Sequence, residues 1–296
     1  MKKNYLKYTL LISLVLQNFL YSQDTSACMQ DLSIFAEYVK VKNYASASEP
    51  WLRVRENCPD LNAAIYTYGE RILKDNIKKG TPEVIEASKK DLIKLYDEWL
   101  QYFPKNKNKS IVGDVTGRKA QALLDFKMAE LNEVYKIFDD AFTLDAASFT
   151  NPKFLYNYFK TLYDRYKNGD KEVSMEMLFN KYEEVSEKFE VETVALAKKL
   201  DIILKKEEEG KALTSREQRR KKVYNINSKA IGTFLSNLDA IIVKEATCEN
   251  LIPLYKTNFD EFKEDSVWLK RAANRMDSKE CSDDPFFVTL VEALHA

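Results

Sequence analysis

Histidine is almost missing: His295 is the only one in 296 residues. A histidine metal cluster is therefore excluded, and His295 reads as an ordinary helix residue. Glycine is scarce, with seven in the chain, and none stands in a GxxxxGK[ST], GxGxxG or GxSxG pattern. Phosphate-cradling loops and a nucleophile elbow thus have no basis in the sequence. The four cysteines include no CxxC pair, which argues against a structural zinc site. Neither sign of charge is in excess, 46 basic residues against 46 acidic, so nothing favours nucleic acid or an anionic membrane as a partner. The carboxylate pairs Asp139-Asp140 and Asp283-Asp284 read as helix-terminal charge, the second at a helix N-terminus that favours it. We read the chain as a non-enzyme with no cofactor and no metal.

Long apolar runs are also missing, except at the start. Lys2, Lys3 and Lys7 precede an apolar run from Thr9 to Leu20, broken by Ser13, Gln17 and Asn18. That run is shorter than the roughly 20 residues of a membrane span. With small Ser22 at its end, residues 1–22 read as a signal peptide and the mature chain begins at Gln23. Three lysines leave with it, so 46 basic residues become 43 against 46 acidic, a formal charge of −3. The reading is an exported, periplasmic protein without an integral membrane span after cleavage; association with the cell surface is the variant of that reading. Export favours disulfides among Cys28, Cys58, Cys248 and Cys281, for which three pairings exist. Cys28 precedes one helix and Cys58 ends the next, and Cys248 and Cys281 bracket a second hairpin in the same way. Two local staples, 28–58 and 248–281, are therefore expected.

The chain is organised around Tyr38–Pro59, YVKVKNYASASEPWLRVRENCP. Ala47, Trp51 and Val54 are spaced i, i+4, i+7 and share a helical face. Tyr38 closes a first helix, a tight turn leads to Tyr44, and Pro59 stops the second helix. The expected unit is an αα-hairpin with Trp51 inserted between its two helices. This spacing resembles the latter two-thirds of a tetratricopeptide repeat, which implies a binding surface and no catalytic centre. Two positions depart from the repeat: Phe35 stands where a small residue is usual, and Pro50 falls inside the second helix, at a cost of ~3 kcal/mol. A helix capped by Ser48 would place Pro50 in its tolerated first turn.

Helical periodicity continues through Leu61–Lys79. Thr81-Pro82-Glu83 then reads as a cap opening a helix that ends at Pro104. Lys105 to Asn108 reads as a polar linker, and one helix is expected from Thr116 towards Phe142. Lys153–Lys167 is dense in aromatics. Tyr156, Tyr158 and Tyr163 could wall a small-molecule or glycan site, or the helix could simply face the core. A long helix from about Val173 to Lys206 carries Met177, Tyr182, Val185, Phe189, Val194, Leu196 and Leu200 as apolar positions. Thr214-Ser215-Arg216-Glu217 offers a capping box for its antiparallel partner. Arg216, Arg219 and Arg220 are candidates for an acidic partner, or a solvated face screened by Glu207, Glu208 and Glu209. The last helix, with Phe286, Leu290, Val291 and Leu294, is expected to end with an uncovered apolar face.

The segments CENLIPLYKTNFDEFKEDSVWLKRAANRMDSKECSDDPFF and ALTSREQRRKKVYNINSKAIG, with Tyr38–Pro59 and GERILK at Gly69–Lys74, resemble the N-terminal part of exported tetratricopeptide-repeat proteins of Gram-negative envelopes. The resemblance implies an all-α, disulfide-containing array of helical hairpins, an α-solenoid that holds a protein partner. It carries over no catalytic residue. The expected organisation is 23–110 as N-terminal hairpins, 111–246 as a long-helix region with an antiparallel pair, and 247–296 as a second stapled hairpin plus terminal helix.

Overall fold

The computed structural model describes residues 25–296, so the leader expected at 1–22 lies outside the described residues. The described chain is all-helical, twelve helices with one pair of two-residue strands. None of these helices is long and apolar enough to cross a membrane. The chain divides into two compact units, one ending at Ala129 and regained at Ile137–Phe149, the other made of Glu130–Lys136 and Thr150–Ala296. The junction expected at 110 falls at the end of the short strand Lys109–Ser110 and that at 246 in a loop, whereas the division between units falls at the start and within the helix Leu131–Asp145.

In the first unit, α1 (25–40) ends where Lys42 enters the left-handed region at φ 62°. Asn43 then donates back to the Tyr38 carbonyl at 2.8 Å, a Schellman closure. Asn43 also caps α2 (Tyr44–Asn57), accepting from the Ser46 N–H. This corrects the expectation of a Ser48 cap: Ser48 bonds back to the Tyr44 carbonyl, and Pro50 lies buried inside α2. Ala47, Trp51 and Val54 share the buried face as their spacing required. Trp51, however, turns towards α3 (Ala64–Lys79), where its indole N–H donates to the Ile65 carbonyl at 2.8 Å. Phe35 is fully buried, so the bulky departure in α1 serves the core.

Thr81 caps α4 (Pro82–Tyr102) and Pro82 occupies its first turn, as expected. Tyr66 of α3 stacks on Trp99 and Tyr102 of α4. Lys105–Asn108 is more than a linker. β1 (Lys105–Asn106) pairs with β2 (Lys109–Ser110) across Lys107 and Asn108, both at positive φ, which suits a tight hairpin turn. The single helix expected from Thr116 to Phe142 is two, α5 (Val112–Phe126) and α6 (Leu131–Asp145). Lys127, at φ 53°, ends α5 in another Schellman closure, with Met128 donating to the Leu123 carbonyl.

In the second unit, Asn151 caps α7 (Pro152–Lys167) and Ser174 caps α8 (Met175–Glu208). The capping box of Thr214 and Glu217 opens α9 (Ser215–Glu245), as its sequence indicated. Then follow α10 (Cys248–Phe262), α11 (Ser266–Ser278) and α12 (Pro285–His295). The terminal helix is not wholly uncovered: Phe286 and Leu290 are buried, and Phe286 meets Phe259 of α10 edge to face. Both expected disulfides are present, Cys28–Cys58 and Cys248–Cys281. Such pairs belong to an oxidising, exported compartment.

Candidate functional site

The most deeply built polar cluster lies where α8, α10 and α11 meet. Arg275 of α11 donates to the hydroxyls of Tyr255 (2.7 Å) and Tyr182 (2.8 Å), and Tyr182 donates onward to Asp239 of α9. Arg271, one turn before Arg275, pairs with Glu183 at 3.0 Å and with Glu190, both on α8. The carboxyl of Glu183 also stands 3.5 Å from Arg275. Burial pushes Glu183 up from the ordinary carboxylate range, against the pull of Arg271 and Arg275. Burial likewise pushes the Tyr255 hydroxyl up to about 12. The cluster fixes the α10–α11 hairpin to α8 with paired charges, because charges placed there without partners would be costly to bury.

Over this cluster runs a groove of about 580 Å³. Its α8 wall carries Met177, Asn180, Glu184 and Glu187; Glu261 and Asp265 face them from α10 and the start of α11. Tyr135, Phe262 and the buried Trp268 line it with aromatic rings. Asp265 is occupied as the cap of α11, accepting from Val267 and Trp268. Glu184 is held by Lys181. Glu187 and Glu261 make no ion pair among the described residues. The groove is thus a concave, mostly acidic surface with aromatic patches, suited to a polypeptide segment with cationic and apolar side chains.

The residues singled out from sequence sit elsewhere. Ala47, Trp51 and Val54 are core, Tyr44 is half-buried and Tyr38 is exposed on α1. The Pro59 carbonyl accepts from the Tyr66 hydroxyl at 2.9 Å. On α7, Tyr158 is fully buried and takes a hydrogen bond from Lys181. Tyr163 is buried and donates to Glu245 at 2.8 Å, and Tyr156 stacks on Phe234. These hydroxyls and rings are engaged within the fold, the arrangement of a core-facing helix. Arg216, Arg219 and Arg220 are exposed and make no ion pair among the described residues, while Lys221 and Lys206 are the ones held, by Glu207 and Glu217.

Sequence reasoning missed the groove. Its acids, like Arg271 and Arg275, stand in no motif. One signal was present: Met177, Asn180, Glu184, Glu187, Val191 and Val194 alternate by three and four residues along α8, the spacing of a helix-docking stripe. Comparison of the chain with protein-family models, with curated proteins and with solved structures returns no match.

Proposed function

We propose that this protein is an exported, periplasmic scaffold of tetratricopeptide-like helical hairpins that holds a segment of another polypeptide and catalyses no reaction. The observation that carries this reading is the groove along α8, acidic and aromatic, rigidified from beneath by the Arg271–Glu183–Arg275 cluster. A docking face on rigid helices loses little conformational entropy on binding. The two disulfides support the exported setting and stiffen the hairpins at either end of the described chain.

The test is photo-crosslinking in the intact cell envelope, with a photoreactive residue replacing exposed Met177 and, as control, exposed Leu144 outside the groove. Discrete protein adducts are expected from position 177, reduced by Glu187→Lys. No adduct from position 177 beyond the level given by position 144 overturns the reading.

A further inference from the structure

Beyond the groove, α8 and α9 continue as an antiparallel pair joined by the ion pairs Lys206–Glu217 and Lys221–Glu207 but with little apolar core between them. Between residues 190 and 230 the core contains a single residue, Ile203. In the same span Val191 (54% exposed), Val194 (53%), Ile202 (63%), Val223 (50%) and Ile226 (55%) face solvent. Long helices owe most of their stability to tertiary packing of an apolar face. Two helices with so little shared core leave that packing incomplete, and a second pair would complete a four-helix bundle.

The unpartnered residues form two stripes with the same alternation. On α8 it runs Glu187, Val191, Val194; on α9 it runs Arg219, Val223, Ile226, preceded by Arg216. Each stripe has its charge first and two β-branched residues after it, at steps of four and then three. The charges are opposite, and neither Glu187 nor Arg219 has an ion-pair partner among the described residues. Laid parallel, the stripes match residue for residue: Glu187 with Arg219, Val191 with Val223, Val194 with Ile226. Within one chain α8 and α9 run antiparallel, so this match cannot be made internally.

We infer that the partner of this face is a second copy of the chain. The α9 stripe of each copy lies along the α8 stripe of the other, related by a two-fold axis across the arms. This arrangement is isologous, so one register makes both contacts and closes the assembly at two copies. It brings the basic start of α9, with Arg216 and Arg220, to the groove mouth of the other copy, where Glu184, Glu187 and Glu261 stand. The inference rests on the reading of the α8 face as a docking surface and names what docks there.

The test is sedimentation velocity on the exported, disulfide-bonded protein across a concentration series. Twice the chain mass is expected. Val191→Glu and Ile226→Glu alter residues exposed in the single chain, so each should keep helical content and both disulfides while weakening association at least tenfold. Glu187→Arg and Arg219→Glu should each weaken it, and the double variant E187R/R219E should restore it, because the charges then meet reversed. A monomer at every concentration overturns the inference, as does a dimer indifferent to these changes. A monomer that still gives adducts to a different protein from position 177 overturns the second copy alone and leaves the scaffold reading standing. A monomer without such adducts overturns both.

Discussion

Trp51 lies so close over Gly69 that a Cβ added at Gly69 would fall 2.7 Å from the indole ring. The ring has no room to retreat, since it is buried and its N–H is fixed on the Ile65 carbonyl. An alanine in mid-helix normally gains about 1 kcal/mol over glycine. Here overpacking opposes that gain, at about 1–3 kcal/mol or more. Gly69→Ala is therefore expected to destabilise the first unit despite its better helix propensity, as a lower urea midpoint with an unchanged slope. A rise in midpoint would mean that α2 and α3 move apart freely.

What could be read in advance followed from local chemistry. Thr81-Pro82 and Thr214–Glu217 marked helix starts because a capping side chain and its orphan N–H groups are neighbours in sequence. The cysteines paired as expected because a helical hairpin returns its ends to the same place. The break at Lys127 was invisible, since left-handed residues are usually glycine and none stands there. Trp51 was expected inside its own hairpin, but sequence periodicity gives a buried face without saying which neighbour it meets. Of the apolar positions read along α8, Met177 and Val194 are exposed, while Tyr182, Val185 and Phe189 are buried.

Lys42, Lys127 and Glu280 all take a left-handed conformation at helix ends that glycine would adopt at less cost. For a residue with a Cβ that conformation costs about 1–2 kcal/mol. Lys127→Gly is expected to stabilise the first unit by about 1 kcal/mol, because the Schellman hydrogen bonds of its backbone are retained. Asp125, two residues earlier in the ordinary helical region, is the control position, where glycine should destabilise. Thermal melts of the two variants moving in the same direction would contradict this account of the α5 terminus.

The Cys248–Cys281 bridge ties the start of α10 to the turn that follows α11, across a sequence separation of 33. Closing a loop of that length is worth about 3–4 kcal/mol in the chain-entropy view. Replacing both cysteines by serine is expected to cost stability of that order. The loss should concentrate in α10–α12, seen as faster amide exchange there and little change in α7. Uniform loss of protection through α7 and α8 would show that the hairpin is not a separately stapled element.

Two buried carboxyls respond to acid with opposite sign. For Glu70, burial raises the pKa, but Arg118 and Lys74, with the Tyr96 hydroxyl, outweigh it and hold the carboxyl below its ordinary value of 4.5. Its contribution to stability is present above that value and is lost as pH falls through the lowered one. For Glu183, burial outweighs Arg271 and Arg275, so its pKa stands above 4.5. That group favours the folded state below 4.5 and loses this contribution as pH rises through the raised value. Acidification from pH 7 to pH 4 should therefore shift the two networks differently, Glu70 beginning to lose its contribution and Glu183 regaining one. Amide exchange in α3 and in α11, compared between the wild type and Glu70→Gln or Glu183→Gln, separates the two effects. In Glu70→Gln the α3 response to acid should flatten, and in Glu183→Gln the α11 response should. If α3 stays as pH-sensitive as before in Glu70→Gln, or α11 in Glu183→Gln, that carboxyl is removed from the account.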